Sequence, residues 1–260
     1  MVSDYRRDDG DGGSARLSDP AAAGIATLGL TVIALLAVSA VDHGLYAIVP
    51  VGTSQFTGAL IDTIVFQAAL LSVGLAYVWL DPPLDIEISR PSRDDRKIVV
   101  YGLTAALAVW FLAFAPTSEI LPSFDLLPWY PAFGYDGSLF SGSTLVLFAA
   151  LSLLVVAPVE EFFFRGVVQG RLRSAIPLAV AIGVASLVFA FFHVYAFVLP
   201  FLSPMPMSVH PAVVGHNLLY YTVMGVVFGV VYERTDTLVV PILVHGLFNA
   251  IYYLVTLGQL

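Results

Sequence analysis

Runs of about twenty apolar residues recur along almost the whole of this chain, and no other feature restricts its fold as strongly. A run of that length spans the ~30 Å hydrocarbon core of a bilayer when wound as a helix. Inside lipid every backbone N–H and C=O must find a partner within the protein, which leaves helices as the structure such runs can take. Seven candidate spans can be marked, at 21–41, 57–80, 98–115, 143–172, 177–199, 212–231 and 238–257. The composition agrees: 58% of residues are hydrophobic and only 12% charged, against about 25% charged in a soluble domain. The expected fold is an all-α polytopic membrane bundle of about seven transmembrane helices, with residues 21–260 as its transmembrane domain. Residues 1–20, rich in Asp, Gly and Ser, read as a disordered acidic tail, and lack the compact basic start and short apolar core of a cleaved signal.

The charges test the span count. Arg6, Arg7 and Arg16 precede the first span, and Arg90, Arg93, Arg96 and Lys97 lie between the second and third. Arg165, Arg171 and Arg173 lie at or beyond the end of the fourth, and Arg234 lies between the sixth and seventh. The loops after the first, third and fifth spans hold no Lys or Arg. With seven spans every basic residue falls on one side, which by the positive-inside rule puts the N-terminus in the cytoplasm of a multi-pass cell-membrane protein. The long loop 116–142 carries the interfacial aromatics Trp129 and Tyr130. With no cysteine in the chain, disulfides, thiol nucleophiles and thiolate metal ligands are excluded.

Ionisable residues inside the spans carry the functional signal, since each costs at least about 2.5–3.5 kcal/mol at the bilayer centre. The fourth span holds Glu160, Glu161 and Arg165. Glu161 and Arg165 are i,i+4 neighbours and can pair. Glu160 points about 100° away and needs a partner on another helix or in a wet cavity. His193 in the fifth span, and His245 with Asn249 in the seventh, are the candidates; the last two share a helix face. Counting about 1.5 Å per residue from the basic end puts Glu160 roughly 18 Å deep, Asn249 roughly 17 Å, His193 roughly 24 Å and His245 roughly 10 Å, differences that helix tilt absorbs. Pro158 removes a backbone hydrogen bond just before Glu160 and is a candidate kink. His43, His210 and His216 lie near membrane edges and read as structural.

Three stretches resemble one known family. Residues 157–172, APVEEFFFRGVVQGRL, resemble an EExxxR motif with its flanks; 185–193, ASLVFAFFH, resemble FxxxH; and 233–249, ERTDTLVVPILVHGLFN, resemble HxxxN. Together they resemble the CPBP intramembrane proteases, which group type II CAAX prenyl endopeptidases with bacteriocin-processing and abortive infection proteins. The resemblance covers about 143–255, the expected protease core. It implies an intramembrane endopeptidase acting on a membrane-associated peptide or protein, with CAAX-type prenylated proteins among the options. It implies that Glu160 and His193 activate water, that His245 and Asn249 stabilise the oxyanion, and that Glu161 and Arg165 brace the fourth helix. A metalloprotease built on Glu160, His193 and His245 with zinc is equally consistent with the spacing, as is a metal-free glutamate mechanism. The expected partners are the substrate and the lipid bilayer, with no nucleic acid. The competing classes are a proton-coupled transporter, which would also use intramembrane Glu and His, and a catalytically inactive scaffold or immunity protein.

Overall fold

The computed structural model describes residues 19–48, 55–80, 84, 86–114, 142–203 and 209–257. The N-terminal tail to residue 18 and most of the 116–142 loop, with Trp129 and Tyr130, lie outside them. Among the described residues the chain is helical, with no strand. Helix α1 is Pro20–Ile48, α2 Gln55–Leu80 and α3 Asp95–Phe114. Helix α4 runs continuously over Ser143–Arg173, α5 over Leu178–Val198 and α6 over Pro211–Thr235. Helix α7, Val239–Ile251, continues through wider turns over Tyr252–Leu257. Six of these helices are long and apolar enough to cross a membrane, and the seventh is a shorter apolar helix. The expected helical membrane bundle is what forms.

Several helices outlast the apolar runs from which they were predicted. Helix α3 starts at Asp95 rather than 98 because Ser92 and Asp95 cap it reciprocally, each side chain accepting from the other's backbone N–H. Helix α1 continues past residue 41 through Asp42, which accepts a hydrogen bond from Tyr195 Oη on α5 at 3.2 Å. Helix α6 continues past 231 to Thr235, where Asp236 turns left-handed at φ 48° and ends it. His43, His210 and His216 contact helix backbones: His43 Nδ1 lies 2.8 Å from the Ser39 carbonyl, His210 caps α6 at Ala212 N, and His216 Nε2 lies 3.2 Å from the Ala113 carbonyl.

Helix α4 is the hub, packing against α1, α2, α5, α6 and α7. Helix α3 packs against α6 and α7 from outside. Leu30, Ala34, Leu35 and Val38 of α1 face inward, while Ile25, Leu28, Val32, Ile33 and Leu36 are exposed. That division marks a helix with one protein face and one apolar face left for lipid. Lipid tails are as apolar as these side chains, so close packing and polar contacts, not hydrophobic burial, must join the helices. Glycines provide the close packing. A Cβ on Gly225 of α6 would lie 2.9 Å from the Ser186 Cα of α5, and one on Gly246 of α7 would lie 2.9 Å from the Leu153 Cα of α4.

At the end where the basic residues gather, polar contacts fasten the bundle. Arg173 and Gln169 of α4 both reach Glu233 of α6, at 3.3 and 2.7 Å. The link before α3 is tied to the turn before α7: Leu238 N donates to the Glu87 carbonyl, and Thr237 Oγ1 exchanges hydrogen bonds with the Ser89 backbone.

Candidate active site

Helix α4 changes pitch around its acidic pair. Turns over Ser152–Val156 and Phe162–Gln169 are widened to the π type, and Ala157–Glu161 between them is regular α-helix. Pro158 sits in that regular segment and has no N–H to offer the preceding turn. Wide turns inside helices often sit at functional sites, because the extra residue per turn re-aims the side chains beyond it. Here they flank Glu160 and Glu161, both buried.

Glu161 and Arg165 pair as their spacing predicts, with Arg165 Nε 3.2 Å from Glu161 Oε2. The contact is an ion pair rather than an aligned hydrogen bond. Both groups are almost fully buried, at 0% and 1% exposure, so the pair is held by its surroundings. Arg165 Nη2 donates to the Gly225 carbonyl on α6 at 3.1 Å. Its guanidinium carbon lies 4.6 Å from the Phe189 ring centroid and 5.4 Å from that of Phe228, within range of the attraction between a cation and a ring face. Glu161 does more than pair with Arg165: its Oε1 lies 2.7 Å from His245 Nδ1. A carboxylate there accepts the imidazole proton, so neutral His245 carries its hydrogen on Nδ1 and presents Nε2 as a bare lone pair. The His245 ring stacks on Phe228, 4.6 Å between centroids and 15° between planes.

Glu160 finds its partners on two other helices. Its Oε1 accepts from Gln67 Nε2 of α2 at 3.1 Å, and its Oε2 lies 3.9 Å from His245 Nε2. The second distance is too long for a direct hydrogen bond and short enough for one water molecule to touch both groups. His193 turns Nδ1 to the Phe189 carbonyl at 2.8 Å and stacks on Tyr221, 4.1 Å between centroids. It lies within electrostatic range of Glu160, His245 and Arg165. Neutral His193 therefore also keeps its hydrogen on Nδ1 and its lone pair on Nε2. Asn249 is half-buried on α7 one turn beyond His245, and its side chain makes no hydrogen bond among the described residues. The structure thus gathers Glu160, Glu161, Arg165, His193 and His245 into one cluster, and places Asn249 on the same face of α7 as His245.

Gln67 is the member that sequence reasoning missed. It stands in the middle of a largely apolar span that also carries Asp62, and that polar intrusion was the available signal. Tyr221 and Tyr253 also border the cluster, Tyr253 hydrogen-bonding Ser152 within electrostatic range of Glu160. Among the described residues no group of three or more His, Asp or Glu side chains is arranged so that it could hold a metal ion.

Residues 142–251 match the family described as type II CAAX prenyl endopeptidase Rce1-like, a region that contains all three motif helices. Over this stretch the chain is similar to the Rce1-like family. At family level the match supports an intramembrane CAAX-type protease, and the long apolar helices agree with a multi-pass membrane protein. It is also similar to the "Uncharacterized protein YpbD" of Bacillus subtilis (strain 168), at 27% identity over 165 residues, which cover 61% of this chain and 68% of that one. No solved structure matches it.

Proposed function

We propose that this protein is an intramembrane endopeptidase of glutamate type, cutting a peptide bond in a membrane-associated substrate, with CAAX-type prenylated proteins the leading class. One observation supports it above the others: Glu160 has one oxygen tied to Gln67 and the other facing His245 Nε2 across 3.9 Å. That gap suits a water molecule held against a carboxylate base. In the proposed reaction the water gives one proton to Glu160 Oε2 while its oxygen bonds to the peptide carbonyl carbon. The carbonyl π electrons move to the oxygen, forming the tetrahedral oxyanion. The intermediate collapses with cleavage of the C–N bond, and the leaving nitrogen takes the proton back from Glu160, giving an acid and an amine.

The histidine hydrogen bonds refine the roles expected from the motifs. His245 already commits its Nδ1 hydrogen to Glu161, so it can donate to the oxyanion only as an imidazolium, through Nε2. Asn249, whose amide makes no hydrogen bond among the described residues, supplies a neutral donor from the same helix face. His193 offers an Nε2 lone pair to the water. No step requires a metal.

The experiment uses the purified protein in liposomes with an internally quenched peptide carrying an S-farnesyl cysteine four residues from its C-terminus. Cleavage by the wild type, its loss in Glu160→Gln, and slower cutting of the same peptide without the farnesyl group are expected. Cleavage that persists in Glu160→Gln overturns the assignment. A protein inert on both peptides that moves protons across the liposome membrane replaces it with proton-coupled transport.

A further inference from the structure

We infer that Gln67, on a helix outside the family-matched region, is a positioning residue for the hydrolytic reaction: it holds Glu160 by Oε1 and so commits Oε2 to the water. The inference rests on the protease reading proposed above. An ionised carboxylate has two equivalent oxygens and turns readily about its last bond. A base that must meet water in one orientation needs that rotation stopped. The 3.1 Å hydrogen bond from Gln67 Nε2 supplies the stop. The amide orientation follows from the chemistry, because its oxygen could not pair with a carboxylate oxygen.

Two further observations favour this over a glutamine that merely braces the bundle. First, the pairing leaves acceptors over. Gln67 Oε1 and Glu160 Oε2 are both buried with no hydrogen-bond donor among the described residues. Unsatisfied buried acceptors are costly, and two of them on one hydrogen-bonded pair mark a place where water can be held by more than one group. Second, α2 is packed so as to fix the depth of Gln67. Gln67, Leu70 and Gly74 share one face of α2, and a Cβ on Gly74 would meet the Phe162 ring of α4 at 2.8 Å and that of Phe163 at 3.3 Å. The glycine brings α2 against α4 two turns from Gln67, and Leu70 between them is fully buried.

The test compares wild type, Glu160→Gln, Gln67→Met and Gln67→Asn on the farnesylated peptide, with melting temperature measured in the same detergent. Methionine keeps the length and removes the amide. Asparagine keeps an amide on a shorter stem. The expected result for Gln67→Met is a fall in kcat of about 10- to 100-fold, as for a reacting group displaced by about an ångström. KM stays within about twofold and melting is unchanged, because the group lost acts on the base and not on the bound peptide. Gln67→Asn should recover part of kcat. Should Gln67→Met fail to fold, Gln67→Asn decides: kcat lowered at unchanged KM and melting supports the inference, and wild-type kcat overturns it. An active wild type, an inactive Glu160→Gln and a Gln67→Met at wild-type kcat overturn the role of Gln67 alone, as does a kcat loss matched by equal losses in KM and melting. A wild type that cuts nothing, or a Glu160→Gln that still cuts, overturns the protease reading and the role of Gln67 with it.

Discussion

Gly246→Ala adds a single methyl group beside the cluster, and its effect can be worked from distances. The new Cβ would stand 2.9 Å from the Leu153 Cα and 2.6 Å from the Leu153 Cδ1. Carbon atoms settle at about 3.5–4.0 Å. The leucine tip can rotate away, but its Cα is backbone, so α7 must retreat from α4 by about 0.6 Å to reach the lower bound. His245 is the preceding residue and moves with it. Its 2.7 Å contact with Glu161 would lengthen to about 3.3 Å, beyond the usual range of an N–H···O bond. The gap to Glu160 would widen as well. Overpacking should cost about 1–3 kcal/mol of stability, while misplacement of the imidazole should lower kcat/KM by about 10- to 100-fold. Peptide cleavage and thermal melting read the two effects separately. A control sharpens the reasoning: Leu153→Ala clears the flexible tip and leaves the Cα in place, so the double variant should stay impaired. Wild-type turnover in Gly246→Ala, or full recovery in the double variant, would refute the argument that backbone contact sets the position of His245.

Arg165→Ala leaves Glu161 buried without its cation and should cost about 3–5 kcal/mol, read as a loss of folded yield in detergent. Glu161→Gln keeps the shape but replaces the carboxylate that holds His245 Nδ1 at 2.7 Å with a weaker, neutral acceptor, so kcat should fall about tenfold or more even in the fraction that folds; turnover per folded molecule measures this. Exhaustive dialysis against a strong chelator should leave cleavage within about twofold of the untreated enzyme, and loss of activity restored by zinc would count against the metal-free mechanism. A cysteine at Ser174, at the basic end of α4 in a chain without native cysteine, should label from the cytoplasmic side; labelling only from outside would reverse the charge-based topology.

The helices and the ion pair of α4 were legible in the sequence for different physical reasons. Apolar length reports the membrane, so the spans emerged, but it does not report where a helix stops. That is why α6 was read to residue 231 while hydrogen bonds around Glu233 carry it to Thr235. The Glu161–Arg165 pair was legible because i,i+4 geometry is local. The His245–Glu161 contact was not, since 84 residues separate its ends and no local rule selects Glu161 over Glu160 as the partner. Gln67 was hidden for a related reason: an uncharged amide five residues from Asp62 in a largely apolar span forms no recognisable motif, and only the packing of α2 against α4 gives it a target.

The packing of α2 also bears on what counts as a self-sufficient unit. The recognisable family region, 142–251, begins after α2 and α3 have been made. Were it isolated in a bilayer, the apolar faces of Phe163, Val231 and Val244 that now meet α2 and α3 would simply meet lipid, at little cost, because hydrocarbon is as good a neighbour for them as protein. The expense would fall on one carboxylate oxygen. Glu160 Oε1 would lose its amide donor in a medium that offers no other. The autonomy of the unit is therefore limited by a hydrogen bond rather than by area, and a minimal active fragment has to begin early enough to include α2.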